Sequence, residues 1–285
     1  MKWLNLAVKP HFSWPNVQVE FLFEGYRIIL QPWRKDVEND VILACTISVY
    51  DPNGITFENG GTIARRFLSR LAWFENGGVV ELFEGGSNNP KTPGRLGQGT
   101  YGKSGYSQVE PRNYIYLPSA KSFEADLALG LFREGMSLNS APFALLSYFK
   151  VLNISLSGGN SQKSWINNNL ECLLYSPAIE RLKKLRKSEP DIGAYLYHQG
   201  RCAVAHANGN PLVNLDSYKD KRRIEDDLVL IKEIAALYIE QQFSVRTDSS
   251  FRKVLRETNS STSELLRKTT DDKGNITYVA DKIDT

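Results

Sequence analysis

Apolar positions in the first half of the chain recur at two different periods, and the change of period marks the elements. The stretch Asn16–Leu30 holds two apolar runs, VQVEFLF and YRIIL, broken at Glu24-Gly25, which predicts a β-hairpin. Val41–Tyr50, VILACTISVY, is β-branched and nearly continuous in apolar character, the pattern of a buried strand, and Asp51-Pro52-Asn53-Gly54 supplies a turn. The period then lengthens. In GTIARRFLSRLAWF, Ile63, Phe67, Leu71 and Phe74 recur at helical spacing, with Arg65, Arg66 and Arg70 off that stripe. Val79–Phe83 predicts a further strand. Ser87–Gly105, poor in apolar residues and rich in Gly, Pro, Asn and Ser, predicts a loop. Tyr114–Leu117 predicts a last short strand, closed by Pro118.

From about Ser122 the pattern is helical. Phe123, Leu127, Leu131 and Phe132 form one amphipathic run, and Phe143–Leu156, FALLSYFKVLNISL, a second and more buried one. Lys163–Leu174 is a third helix, Ala178–Lys187 a strongly basic fourth, and Asp191–Ala205 a fifth, with Asp191 behind Pro190 placed to favour the helix start. Lys221–Phe243 is the longest, carrying Ile224, Leu228, Ile231, Ala235, Tyr238 and Ile239 on one face. After Phe243 the chain is rich in Ser, Thr and charge, which predicts a loosely held tail with one helix at Ser250–Arg256. The fold class that follows is α+β: a β-rich N-terminal domain over 1–120, an all-α helical bundle over 121–243, and a flexible C-terminal tail over 244–285.

Composition narrows the function classes. The chain has 285 residues, 41% hydrophobic and 24% charged, which is ordinary for a globular protein and excludes a collagen, a disordered chain or a coiled-coil rod. Lys plus Arg is 35 against 32 for Asp plus Glu, a net charge of +3. A balance that small carries no nucleic-acid claim by itself, so any such claim rests on local patches. Cys45, Cys172 and Cys202 are far apart and form neither a CxxC pair nor a zinc spacing, so no metal and no disulfide framework is expected. The apolar start of the chain stops at Lys9-Pro10, too short for a signal-peptide core, and no run reaches the roughly 20 apolar residues of a membrane span. A soluble, cytoplasmic protein without a membrane partner and without a cofactor is the expectation.

Gly97–Ser104, GQGTYGKS, satisfies the phosphate-loop pattern G-x-x-x-x-G-K-[ST]. That chemistry needs a buried strand before the loop and a helix after it, whose N-terminus holds the phosphate. Here SNNPKTPGRL precedes and GYSQVEP follows, so the match reads as a flexible glycine loop. A basic loop in which Arg95, Lys103 and Arg112 touch a ligand phosphate is the intermediate reading, and nucleotide hydrolysis an outsider.

The sharper signal is GRCAVAHANG at Gly200–Gly209, which places Arg201 and His206 five apart near the end of a helix that Asn208-Gly209-Asn210-Pro211 stops. Taken alone, the two residues fit a structural pair near a helix C-terminus, where the dipole favours cations. His11, beside Pro10 and Phe12, reads as structural. Cys202 as a nucleophile has no base beyond its helix neighbour His198.

In its surroundings the motif resembles that of the HEPN superfamily, R-x(4–6)-H at the end of a helix inside a four- or five-helix bundle. LSYFKVLN at Leu146–Asn153 resembles the aromatic second helix of Apea-like members, and EDDLVLIKEIAALYIEQQF their closing helix. The whole chain, including RFLSRLAW at Arg66–Trp73, is similar to MauJ-like proteins of methylamine-utilisation clusters. The resemblance implies a metal-independent endoribonuclease of toxin or phage-defence type, gated or targeted by the N-terminal domain, with RNA as substrate and Arg201 and His206 as catalytic residues. It also implies a homodimer through the helical domain, and a neutralising or activating partner.

The chemistry suits the residue types, since histidine moves protons near neutral pH and arginine grips phosphate through its planar fork. On an ideal helix Arg201 and His206 lie roughly 140° apart. Either the helix ends before His206 or a second chain completes the site. Active members often carry Asn after the arginine, where this chain has Cys202; Asn208 or His198 could supply the missing polar contact. Two basic clusters bracket the motif: Arg181, Lys183, Lys184, Arg186 and Lys187 before it, and Lys219, Lys221, Arg222 and Arg223 after it. They are candidate RNA-backbone contacts or solvated helix faces. The alternative function is a non-catalytic HEPN-like accessory protein that dimerises or binds RNA.

Overall fold

The computed structural model describes residues 1–99, 108–109, 114–206, 212–214, 217–258, 265–272 and 275–280. The chain divides into two compact units, residues 1–119 with 246–285, and residues 120–245. The first is mostly strand and the second helical, an α+β protein.

The first unit begins with strands β1 (Trp3–Pro10), β2 (Trp14–Pro15), β3 (Val19–Phe23), β4 (Tyr26–Gln31), β5 (Arg34–Asp36), β6 (Val41–Leu43) and β7 (Cys45–Tyr50). Helix α1 (Phe57–Glu75) follows, then β8 (Val79–Ser87), β9 (Gly97–Gly99) and β10 (Gln108–Val109). The β3–β4 hairpin turns at Glu24 and Gly25, both with positive φ, the backbone that a two-residue turn between right-twisted strands requires. The run Val41–Tyr50 is not one strand. It breaks at Ala44, whose N–H donates to the Leu96 carbonyl, so that β6 joins β5 and β9 while β7 enters the main sheet between β4 and β1. Tyr114–Leu117 forms no strand, only a bridge from Tyr116 to Leu265.

α1 starts at Thr56, whose hydroxyl accepts from the Asn59 N–H, and ends at Asn76 in the left-handed region. Its stripe Ile63, Phe67, Leu71 and Phe74 is buried. Arg65 and Arg66 are held at its rim by Glu81 and Glu24, and Arg70 is buried with its guanidinium over Phe23.

The second unit contains α2 (Phe123–Ser137), α3 (Ala141–Asn153), α4 (Gly159–Asn169) with a 3-10 turn at Leu170–Cys172, and α5 (Ser176–Leu185). There follows a composite helix: α6 (Ile192–Tyr195), a π-helical stretch (Leu196–Cys202) and α7 (Ala203–Ala205). α8 (Tyr218–Phe243) closes the unit. α3 buries Leu145, Tyr148, Phe149 and Leu152 between α2 and α8, and the α8 face runs through Ile224, Ile231, Ala235, Tyr238 and Ile239.

The chain then returns to the first unit. α9 (Asp248–Thr258) is followed by β11 (Leu266–Thr270) and β12 (Ile276–Ala280), and β12 pairs in parallel with β3. The main sheet therefore runs β11-β12-β3-β4-β7-β1-β8. Described residues of the segment expected to be a loosely held tail, 244–285, thus pair and pack within this unit. Phe251 and Tyr278 are fully buried, stacking on Tyr116 and Phe21 respectively, and Trp73 donates its indole N–H to the Arg246 carbonyl. Two aromatic anchors, with the buried Val245 and Ile276, hold a segment otherwise rich in polar residues.

Candidate active site

Asp191 caps the composite helix, its carboxylate accepting from the Ala194 N–H at 2.7 Å and from the Asn167 amide at 2.8 Å. Those contacts hold the carboxyl below its ordinary range. Gly193 donates to Asn167 Oδ1 at 2.8 Å, and a Cβ there would fall 2.4 Å from the Lys163 carbonyl. The close seam between α4 and α6 thus needs a glycine.

The turn that follows is wound wider than an α-helix, with the Ala203 N–H reaching the His198 carbonyl five residues back. Such winding leaves carbonyls to be satisfied by other groups. The one at Gln199 accepts from Arg223 Nη1 at 2.8 Å.

Behind that contact lies a buried ion cluster. Asp227 on α8 is fully buried; its Oδ1 accepts from Arg181 Nε and Nη2 at 3.0 and 2.7 Å, its Oδ2 accepts from the Tyr195 hydroxyl at 3.0 Å, and Arg223 Nη1 is 3.7 Å away. Burial pushes the Asp227 carboxyl above its ordinary range against the opposing pull of Arg181, Tyr195 and Arg223. Burial likewise raises the Tyr195 phenol, with Asp227 adding to the rise. Through Tyr195 and Arg223, the cluster fixes the wide turn to α5 and α8.

Arg201 lies in that turn and is half-buried. Its guanidinium sits over the Tyr197 ring, 5.3 Å from the centroid, with Nη1 3.5 Å from the Tyr197 hydroxyl and 3.8 Å from Cys202 Sγ. No carboxylate among the described residues forms an ion pair with it. Lys163 Nζ lies over the same ring at 5.8 Å, and His198, exposed, sets its ring edge-on to Tyr197. Tyr197 is in turn backed by Phe149, and by Gly159, where a Cβ would meet the phenol ring at 2.4 Å.

His206 is the C-cap. The helix ends at Ala205, and His206 has extended backbone and an exposed side chain. The helix thus ends before His206, as in one of the two alternatives that the roughly 140° separation posed. Neither His198 nor Cys202 supplies a strong polar contact to Arg201: His198 faces Tyr197, and the thiol is a weak hydrogen-bonding group. Asn208 lies outside the described residues, as do Lys103, Arg112 and most of GQGTYGKS. Gly97–Gly99, its first three residues, pair with β6, and a Cβ at Gly97 would fall 2.7 Å from Val41. Among the described residues no His, Cys, Asp and Glu group could hold a metal ion, and no helix is long and apolar enough to cross a membrane.

The basic clusters separate on inspection. Arg181 is bound to Asp227, and Arg223 to the Gln199 carbonyl with Asp227 nearby, which sets Arg223 apart from the other residues expected to face RNA. Arg186 pairs with Glu171, and Lys221 and Arg222 with Glu225. Lys183, Lys184 and Lys187 are exposed and form no ion pair with a described carboxylate. The pattern reading did not single out Tyr197, Lys163, Tyr195 or Asp227. Asp227 carries a signal in hindsight, because it falls between Ile224 and Ile231 at helical spacing, a carboxylate set in an apolar stripe.

Residues 128–240 match the family model of the methylamine utilization protein MauJ. The matched stretch runs from α2 through most of α8, and so contains the whole Tyr197 cluster, Arg201, His206 and Asp227. No curated protein and no solved structure matches the chain. The MauJ match thus covers the helical unit and leaves the sheet unit unmatched.

Proposed function

We propose that the helical unit is a HEPN-type endoribonuclease centre that works without a metal, with Arg201 and His206 as its catalytic residues. The observation that carries this reading is the state of Arg201. Its neighbours Arg181 and Arg223 are tied to a buried carboxylate, whereas Arg201 is held on an aromatic ring with no described carboxylate paired to it. A cation kept in place but uncompensated suits an anionic ligand, and the planar fork suits a phosphodiester.

The substrate's own 2′-oxygen attacks the adjacent phosphorus, and the 5′-oxygen leaves. Arg201 stabilises the charge that builds on the phosphoryl oxygens. His206, exposed at the helix end, takes the 2′-hydroxyl proton or returns one to the leaving oxygen. Two proton transfers call for two groups, and a homodimer through the helical unit would bring a second His206 to the same phosphate. Lys183, Lys184 and Lys187 extend the contact to flanking phosphates.

One observation favours a second reading, an accessory module that binds RNA without cutting it, in a methylamine-utilisation setting. Cys202 Sγ is the group beside Arg201 Nη1, at 3.8 Å, and it cannot orient a guanidinium as an amide would. The test is to incubate pure protein with transfer RNA, measuring binding and cleavage together for wild type, Arg201→Ala and His206→Ala. The nuclease reading expects cleavage that both variants lose. Binding lost only in Arg201→Ala, with no cleavage by any protein, would establish the accessory reading instead.

A further inference from the structure

We infer that Lys163 is the second cation of a two-cation seat for an RNA phosphate, with Tyr197 as the platform that positions both. The inference rests on the RNA reading above and adds to it a residue from a different helix. Lys163 belongs to α4 and Arg201 to the wide turn, yet both cationic heads lie over one phenol ring, at 5.8 and 5.3 Å from its centroid. Two like charges gathered on one ring repel each other, and the ring's negative face offsets only part of that cost. In the Asp227 cluster a carboxylate settles the same problem. Here no described carboxylate forms an ion pair with either cation: Asp191 acts on Lys163 only through space, and its hydrogen bonds come from the Ala194 N–H and the Asn167 amide. An anion bound between the two cations would relieve the repulsion, and a phosphodiester oxygen is the anion that an RNA-directed site meets.

The arrangement is built into the backbone. Gly193 and Asn167 bring α4 against α6, and Gly159 lets the Tyr197 phenol approach α4 to a distance that no side chain would permit. Tyr197 is therefore a positioning residue. Its ring carries both cations and makes T-shaped contacts with Phe149 and His198, which leaves it unsuited to stacking a base.

The probe is a single-stranded 2′-O-methyl oligonucleotide, which cannot be cleaved because its 2′-oxygen is blocked. Its binding is followed by fluorescence anisotropy over a salt series. Lys163→Gln should weaken affinity by about fivefold, the scale of one solvent-exposed ion pair, and should lower the slope of log affinity against log salt by about 0.7, the value for one phosphate contact on a single strand. Lys163→Arg should restore both. Lys150→Gln, which removes an exposed lysine of α3 outside this cluster, should change neither. Thermal melts of each variant establish that the fold is retained.

Unchanged affinity and slope in Lys163→Gln, with Arg201→Ala impaired, would overturn the two-cation seat and leave the Arg201 reading standing. An equal loss in Lys150→Gln would overturn it as a general charge effect. A wild-type protein that does not bind the oligonucleotide would overturn both readings. One that binds with the expected Lys163 dependence yet cleaves no RNA would retain the seat and remove only the nuclease.

Discussion

Two clusters of cations lie along the same composite helix, and they are finished in opposite ways. Around Asp227, Arg181 and Arg223 surround a fully buried carboxylate that also accepts from Tyr195. Around Tyr197, Arg201 and Lys163 share an aromatic face without a paired carboxylate. The first arrangement is closed: its donors and acceptors satisfy one another, and removing a member leaves an uncompensated charge. The second is open, with charge held in position and left for something else. The contrast teaches that a count of arginines and lysines near a motif says little about ligand binding. What matters is which of them already have a partner inside the protein.

The comparison breaks most readily at its closed end. Asp227→Ala should cost about 3 kcal/mol of stability in urea denaturation, because it strands Arg181 and Arg223 and frees the Tyr195 hydroxyl. Arg201→Ala should cost less than about 1 kcal/mol in the same assay, since it removes a contact on a half-exposed ring. If the two costs were equal, the distinction between closed and open clusters would fail. A sharper version compares Tyr197→Phe with Tyr197→Leu. The phenylalanine keeps the aromatic face and should retain RNA affinity within about twofold, whereas the leucine removes the platform and should lose about fivefold.

Asp191 tests the scaffold of the open cluster. Asp191→Ala should cost about 1 kcal/mol at neutral pH through the lost N-cap. The Asp191 carboxyl lies below the ordinary carboxylate range in the folded state, through the Ala194 N–H first and the Asn167 amide next. Its contribution is therefore fully present above the unfolded value and lost as pH falls through the lower folded one. The difference between wild type and variant should narrow in urea melts taken from pH 5 downwards.

The smallest effect concerns the thiols. Burial pushes Cys45 up to about 12, while Cys172 is exposed and Cys202 half-exposed. Iodoacetamide at pH 8 should label Cys172 first and Cys202 next, and Cys45 only after unfolding. Bound RNA should slow Cys202 alone, since its sulfur lies beside Arg201.

Periodicity made the helical unit largely legible, because its apolar stripes are long and its stop signals clear. The β-hairpin at Glu24-Gly25 and the α1 stripe were equally plain. β1 carries no strand signature: Trp3, Leu4, Leu6, Ala7 and Val8 form a nearly continuous apolar run, with the buried Asn5 satisfied by Ser48 across the sheet. A short run of that kind carries no alternation to identify it. β12 was hidden for the opposite reason, since Ile276 and Tyr278 are two buried positions in a polar stretch, and their partners on β3 are more than 250 residues away. Arg201 and His206 were visible as a pair. The wide turn between Leu196 and Cys202 was not, because a change from four- to five-residue hydrogen bonding leaves no mark on side-chain chemistry. Nor could spacing along one helix show that Lys163, from another, shares the ring of Tyr197.

The central claim is that Arg201 and His206 cut RNA with the substrate's own hydroxyl as nucleophile and no metal. It is tested most directly by digesting end-labelled transfer RNA in excess EDTA with wild type and His206→Ala, then identifying the new termini. The account predicts cleavage by the wild type that persists in EDTA, leaves 2′,3′-cyclic phosphate and 5′-hydroxyl ends, and falls at least about a hundredfold in His206→Ala. Cleavage that requires magnesium, or that proceeds equally well in His206→Ala, would contradict it.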